Sequence, residues 1–143
     1  MIVRPGVAAD LGLATAWLTD ARLPGADLTP EHMKGFLFAV VDDEPVGMIG
    51  LEQYGDTGLL RSLVVDAAAR NDGIGRHLVG ALEDLAASRK VKELWLLTID
   101  ADQYFGALGY TPVNRADAPE VIRDTVEFSR LCPGDAVLMR KRF

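Results

Sequence analysis

The 143-residue sequence contains one cysteine, Cys132, and two histidines, His32 and His77. One thiol can form neither an internal disulfide nor a cysteine-based zinc cluster, and the histidines are too far apart in sequence to suggest ligand spacing. No apolar run approaches the ~20 residues of a membrane-spanning helix, and the first ten residues lack a signal-peptide pattern. We therefore expect a cytoplasmic protein without a metal ion.

Positive charge is also scarce. The sequence has 15 basic and 21 acidic residues, so its formal net charge is −6. Nucleic-acid surfaces and anionic membranes both require clustered cations, so neither is expected as a partner. A local site can still bind an anion. The hydrophobic fraction of 49% is enough for one core, and the length suits a single domain over residues 1–143.

Apolar periodicity divides the chain into strands and helices. Strands are predicted at Ile2–Arg4, Phe36–Val41, Val46–Tyr54, Leu59–Val65, Leu94–Thr98, Tyr110–Val113 and Ala136–Lys141. Helices are predicted at Leu11–Ala21, Pro30–Lys34, Ile74–Ser88, Ala101–Leu108 and in part of Ala118–Leu131. An antiparallel meander followed by alternating strands and helices predicts an α/β protein with a mixed sheet.

The most informative segment joins the strand ending at Val65 to the helix beginning at Ile74. It carries two glycines, Gly73 and Gly75, between Arg70 and Arg76. Glycines let the backbone approach a ligand closely, and the first N–H groups of a helix point outward with a dipole that favours anions. A dinucleotide fingerprint would need a third glycine where Leu78 stands, and no Gly-Lys-Ser/Thr is present. The turn therefore predicts a phosphate site of another kind.

The run Arg70–Gly75 matches R-x-x-G-x-G, and Phe105–Tyr110 matches F-x-x-x-G-F/Y. With the strand before the first motif, the helix after it and the buried strand Leu94–Thr98 between them, the chain resembles the GNAT superfamily of N-acetyltransferases. The resemblance implies a GNAT fold of α/β (α+β) class. Such a fold has a mixed, mostly antiparallel sheet of six to seven strands, about four flanking helices, and splayed strands 4 and 5. It also implies acetyl-CoA as cosubstrate.

By the same resemblance, one loop and one strand would hold the coenzyme. The backbone groups expected to bind the pyrophosphate belong to Asn71, Gly73, Ile74, Gly75 and Arg76, with Arg70 adding charge. A bulge would splay strand 4, and Leu63, Val64 and Val65 would pair with the pantetheine arm, the Val64 N–H polarising the thioester carbonyl. The family's tyrosine position is Phe105 here, which is expected in the core or along the coenzyme channel. Tyr104, one residue earlier, is expected to be a packing residue.

Two charged residues in apolar strands mark the acceptor side. An attacking amine must lose a proton, and Glu52 is the candidate base, its alternatives being a surface residue or an ion pair. Arg61 lies between apolar neighbours, where a guanidinium needs a partner. Either an internal carboxylate such as Glu52 or an anionic group of the substrate could supply it. Ser62 could add a hydrogen bond.

A narrower resemblance runs through the C-terminal half, above all in the T-x-E-F-x-x-L-C-P run of residues 125–133. It is similar to small acetyltransferases associated with arsenic resistance and to the acetyltransferase domain of glutamate N-acetyltransferases. This implies a glutamate-like acceptor or a phosphinate or arsenic mimic. Residues expected near it are Arg61, Ser62, Thr125 and Ser129, with Arg123 or Arg130. A cationic amine acceptor and a non-catalytic acyl-CoA sensor remain alternatives, and a homodimer is possible because dimers are common in the superfamily.

Overall fold

A computed structural model describes residues 1–70, 72–131 and 135–143 of the chain. Its seven strands form one sheet in the order β1-β2-β3-β4-β5-β7-β6. Only the pairing of β4 with β5 is parallel among the recorded strand pairs. The strands are β1 (Ile2–Pro5), β2 (Phe36–Val41), β3 (Glu44–Tyr54), β4 (Thr57–Val65), β5 (Glu93–Thr98), β6 (Thr111–Val113) and β7 (Val137–Arg142).

Helices cover both faces of this sheet. The α-helices are α1 (Leu11–Asp20), α2 (Ile74–Ser88), α3 (Asp102–Ala107) and α4 (Glu120–Arg123). Short 3₁₀ turns occupy Ala8–Asp10, Pro30–Gly35, Ala67–Ala69 and Arg115–Asp117, and a π-helical turn occupies Glu127–Leu131. None of the helices in the described ranges combines the length and apolar character needed to cross a bilayer.

The alternation of side chains along β2 and β3 separates two cores. Leu37 and Ile49 pack with α2, whereas Phe38 and Met48 pack with α1. Neighbouring residues of a strand point to opposite faces, so these continuous apolar strands are buried on both sides. The mixed, mostly antiparallel sheet predicted from the sequence is confirmed, as are its flanking helices.

The segment predicted as partly helical, Ala118–Leu131, divides into α4 and the π-helical turn. The break occurs at Thr125, whose hydroxyl donates to the Ile122 carbonyl (2.7 Å) and accepts the Phe128 N–H (3.2 Å). A threonine hydroxyl that takes over backbone hydrogen bonds competes with a regular helix. The residues after Thr125 therefore do not continue the α-helical register of α4.

A bulge in β4 separates it from β5. Met48 pairs with Val64 and Gly50 with Arg61, so Ser62 and Leu63 together oppose Ile49, and Ser62 has φ of 60°. An extra residue in one strand bends it and increases its twist. The described parallel pairing of β4 with β5 ends at Leu59 and Trp95. Beyond that point the strands diverge, as the GNAT resemblance predicts, and a cleft opens between them.

We expect Gly35→Ala to lower the free energy of unfolding by about 1–3 kcal/mol, the usual cost of overpacking. A Cβ on Gly35 would overlap the Leu51 carbonyl oxygen in β3. Gly80→Ala is the control, because a Cβ there meets nothing within 4 Å. In a helix interior that change should stabilise by about 0.5–1 kcal/mol. Urea unfolding measures both, and equal effects would contradict the close approach of the 3₁₀ turn to β3.

Candidate functional site

Two cavities meet where β4 and β5 diverge. The smaller, of about 630 Å³, lies at the start of α2. The larger, of about 1070 Å³, lies between the diverging strands and the loop after α1. Both are lined by Ala21, Leu63 and Tyr104. The two cavities therefore adjoin along these residues.

The smaller cavity contains nearly all of the residues that the sequence predicted for a coenzyme. Its lining includes Leu63, Val64, Val65, Arg70, Gly73, Ile74, Gly75 and Arg76. Helix α2 begins at Ile74 after Gly73, which has φ of 75°, and no side chain caps it. The uncapped N–H groups of its first turn can donate hydrogen bonds to an anion. The geometry fits a pyrophosphate; Asn71, predicted to take part, lies outside the described residues.

Tyr104, expected to be a packing residue, packs edge-on against Phe105 with ring centroids 5.3 Å apart, and it also lies at the junction of the two cavities. The side chain is 42% exposed. A Cβ on Gly75 would lie 2.6 Å from its hydroxyl oxygen. Partial burial raises the pKa of the Tyr104 hydroxyl although Arg76 lowers it. Phe105, predicted to bind the coenzyme, lies in the core against Tyr110 and lines the larger cavity.

Arg61 binds four parts of the structure with its guanidinium. Nε donates to Ser62 Oγ at 3.0 Å. Nη1 donates to Asp27 Oδ2 and Glu52 Oε2, each at 2.6 Å. Nη2 donates to Asp27 Oδ1 at 2.9 Å and to the Pro24 carbonyl at 3.2 Å. All five N–H donors of a guanidinium are thus engaged internally. The structure realises the internal ion pair, and leaves no donor of Arg61 for a substrate.

Electrostatics reinforce this arrangement. Burial disfavours the charge of Arg61, but the hydrogen bonds that it donates to Asp27 and the nearby carboxylates of Glu127 and Glu52 raise the pKa of its guanidinium. Burial likewise works against the charge of Asp27, yet the bond from Arg61 holds the pKa of that carboxyl below its usual value. Both partners therefore remain charged near neutral pH.

Glu52 is the predicted base, and the structure corrects that role. Its Oε2 accepts from Arg61, and its Oε1 accepts a short hydrogen bond from the Tyr54 hydroxyl. Burial and this carboxylate raise the pKa of the Tyr54 hydroxyl, which keeps the donor protonated. Glu52 also lines neither cavity. Engaged on both oxygens behind Arg61, it is poorly arranged to accept a proton from a ligand.

Glu127 lines the larger cavity and was missed by the sequence analysis. The residue is 5% exposed. Its Oε1 lies 3.9 Å from Arg61 Nε, and its Oε2 has no hydrogen-bond partner among the described residues. Burial raises the pKa of its carboxyl to about 7, with Arg61 opposing the shift and Glu52 and Asp27 adding to it. The only signal in the sequence was its position inside the T-x-E-F run.

The other predicted acceptor residues are arranged differently from the prediction. The Thr125 hydroxyl donates to the Ile122 carbonyl and accepts the Phe128 N–H. The Ser129 hydroxyl donates to the Thr125 carbonyl at 2.8 Å. Thr125, Ser129 and Arg123 are absent from the lining of both cavities described above. The hydroxyls of Thr125 and Ser129 therefore stabilise the turn. Ser62 does line the larger cavity.

Three side chains near Arg61 have possible metal-ligand atoms. Asp27, His32 and Glu52 bring one such atom each within 4.8 Å of the others. However, Arg61 donates to both carboxylates, and His32 Nδ1 accepts the Thr29 N–H at 3.0 Å. The cation among these groups is the guanidinium. The absence of a metal stays a prediction.

We expect Arg61→Met to lower the free energy of unfolding by about 3–5 kcal/mol, because it leaves buried carboxylates without their shared cation. Arg142→Met is the control, since the Arg142 side chain is 67% exposed and forms a surface pair with Glu93. Such a surface pair contributes about 0–1 kcal/mol. Urea unfolding at pH 7 measures both. A loss for Arg61→Met no larger than the control's would contradict the structural role of the ion cluster.

A sequence model of the acetyltransferase (GNAT) family matches residues 12–110 of the chain. An uncharacterized N-acetyltransferase of Chlorobaculum tepidum is 29% identical over 113 residues, which cover 78% of this chain and 72% of that protein. The family match contains α1 from Gly12 onward, the turn before α2 and the F-x-x-x-G-Y motif. It therefore includes most of the residues that line the two cavities.

Solved structures share the fold. N-acetylglutamate synthase of Neisseria gonorrhoeae, complexed with coenzyme A and N-acetyl-glutamate, superposes with a TM-score of 0.84 at 18% identity, covering 99% of this chain and 34% of its own. Rv2747 of Mycobacterium tuberculosis, in complex with coenzyme A, superposes with a TM-score of 0.80 at 20% identity. The match covers 100% of this chain and 99% of Rv2747. An aminoglycoside 6'-N-acetyltransferase complexed with coenzyme A superposes with a TM-score of 0.73 at 22% identity. The match covers 99% of this chain and 97% of that enzyme.

This chain spans about a third of the synthase, 34% of its length, so the likeness concerns one part of that protein. The family match covers residues 12–110, well over half of the 143 residues. The chain belongs to the acetyltransferase (GNAT) family, the acetyl-CoA-dependent N-acetyltransferases that its sequence predicted.

Proposed function

We propose that this protein transfers an acetyl group from acetyl-CoA to the primary amine of a small acceptor bound at the same time. The meeting of the two cavities at Leu63 and Tyr104 supports this proposal most directly. The smaller cavity has the lining of a coenzyme site, and the larger has room for a small molecule. Direct attack needs both reactants in one complex, with the reacting atoms in contact.

Chain groups around the smaller cavity would hold the coenzyme, which supplies the activated thioester. N–H groups at Gly73–Arg76 bind its pyrophosphate, and the side chains of Arg70 and Arg76 add positive charge. The backbone of Leu63–Val65, beyond the bulge, pairs with the pantetheine arm. One of the N–H groups of Leu63–Val65 that faces the cleft is the proposed donor to the thioester carbonyl, where charge develops during attack. Val64 was predicted for this role, but Met48 lies opposite it, two residues from the pair in which the Asp66 N–H donates to the Val46 carbonyl. Antiparallel pairing therefore directs the Val64 N–H towards β3.

The first candidate acceptor is glutamate or a glutamate mimic that carries a phosphinate or arsenic group. The C-terminal T-x-E-F run supports it, as does the likeness to the N-acetylglutamate synthase structure. Arg61 is engaged internally, so the anionic groups of such an acceptor need another cation. Arg22, an exposed residue that lines the larger cavity, is that cation. The amine would then point inward, towards Glu127.

A cationic amine is the second candidate, and the charge around the larger cavity favours it. Asp27, Glu52 and Glu127 carry carboxyl groups within reach of Arg61, the single cation of this cluster. An acceptor that enters with positive charge offsets this excess of negative charge. The fold is also shared with an aminoglycoside 6'-N-acetyltransferase.

We expect Gly75→Val to weaken coenzyme A binding by at least about 10-fold, a loss of about 1.4 kcal/mol. The added side chain would push against the Tyr104 hydroxyl and cover the start of α2. Calorimetric titration with coenzyme A measures the affinity. Gly80→Ala, a change farther along the same helix, should bind normally. Unchanged affinity in Gly75→Val would contradict coenzyme binding at this turn.

The acceptor is best identified by thiol release from acetyl-CoA with a panel of glutamate, its phosphinic and arsenic analogues, polyamines and aminoglycosides. If the acceptor is anionic, Arg22→Glu should lower kcat/KM by about 10-fold or more, because attraction becomes repulsion. For a cationic acceptor, the same variant should match or exceed the wild type. Lys92→Glu, at an exposed site outside both cavities, is the control. No release with any amine would support the non-catalytic sensor.

A further inference from the structure

We propose that the Glu127 carboxylate is the group that takes the proton from the acceptor's ammonium before it attacks. This assignment rests on the proposed function, because it needs an amine in the larger cavity. It replaces Glu52, the base that the sequence suggested. Glu127 would touch the reacting amine, so it would be a catalytic residue.

Position is the first argument for Glu127. Two carboxyl side chains line the larger cavity in the described part of the chain, Glu127 and Asp100. Asp100 is exposed, whereas Glu127 is 5% exposed. A buried carboxylate is shielded from the water that would otherwise compete for the amine. Glu127 also shares this cavity with Leu63 and Tyr104, which border the coenzyme cavity.

An unpaired oxygen is the second argument. Arg61 has no donor left for Glu127: its Nε donates to Ser62, and Glu127 Oε1 lies 3.9 Å away from it. Glu127 Oε2 has no hydrogen-bond partner within the described ranges. A buried carboxylate oxygen without a partner is costly, and an ammonium bound in the cavity would supply the missing donor.

The surrounding charges suit a proton acceptor at neutral pH. The groups that act on Glu127 are Arg61 from β4, Glu52 from β3 and Asp27 from the loop after α1. The two other carboxylates already share Arg61, so a third negative charge gains little from it. Burial and these carboxylates raise the pKa of Glu127 to about 7. A base with a pKa close to the working pH is the most effective.

The proton balance is complete with the two substrates alone. The ammonium gives one proton to Glu127, and the neutral nitrogen forms a bond to the acetyl carbon as the thioester C–S bond breaks. The nitrogen loses its second proton as the amide forms, and one proton ends on the thiol of released coenzyme A. Glu127 passes the other to water. Ammonium and thioester thus become amide, thiol and one proton.

Glu127→Gln tests this role because glutamine keeps the shape and removes the base. We expect kcat/KM at pH 7 to fall by about 100- to 10,000-fold, the usual contribution of such a group. The wild-type rate should rise with pH through about 7, following Glu127. In the variant this rise near pH 7 should disappear. The rate should instead increase as the pH approaches the pKa of the free amine, near ~10. The deficit should therefore narrow at high pH.

Stability gives a readout that does not depend on activity. The pKa of Glu127 in the folded protein is raised from 4.5 to about 7, so its contribution favours folding below the unfolded value and is lost as pH rises through 7. Urea unfolding should therefore show Glu127→Gln gaining stability relative to the wild type between pH 4.5 and pH 8. A carboxyl ¹³C titration of the substrate-free protein should show one resonance near 7 that the variant lacks.

Controls separate this role from folding and from coenzyme binding. Glu127→Gln should bind coenzyme A normally, because Glu127 does not line the smaller cavity. Glu127→Asp should retain the pH limb with a lower rate. If Glu127→Gln is as active as the wild type at pH 7, or loses activity with an unchanged pH profile, the assignment is overturned while the proposed function stands. If the wild type acetylates no amine of the panel, both fail.

Discussion

The guanidinium of Arg61 holds the acceptor side of this protein together. From β4 it pairs with Asp27 in the loop after α1 and with Glu52 in β3. It also faces Glu127 in the C-terminal turn. A charge buried this deeply is costly unless its hydrogen bonds are complete, and here all five donors are used. This one side chain therefore ties the loop after α1 to the central sheet beside the cavity.

The β4 bulge explains why the ion cluster and the cleft occur together. Ser62, at φ of 60°, follows Arg61 directly, and its hydroxyl accepts from Arg61 Nε. The bulge re-aims the strand at that point and ends its pairing with β5. The same two residues thus open the cavity and determine the charges beside it.

Local signals predicted the coenzyme side well, whereas the acceptor side depended on distant contacts. Gly73 and Gly75 belong to one turn, so their spacing alone indicated an anion site. Arg61 was recognised as anomalous, but Asp27, 34 residues away, could not be identified as its partner because no pattern links them. Glu127 was missed because Thr125 and Ser129 would share a face in a regular helix. The hydroxyl of Thr125 breaks that helix, and Glu127 turns inward instead.

The excess of carboxylates also bears on how product would leave. An ammonium entering the larger cavity would bring a second cation to Glu127, because Asp27 and Glu52 already take the donors of Arg61. Acetylation converts the ammonium to a neutral amide, which no longer offsets the negative charge of the carboxylates. Glu127 then passes its proton to water and again lies without a partner. Attraction at the cavity therefore favours the unreacted amine over its amide, so the charge imbalance that makes this site costly to fold also promotes release of the product.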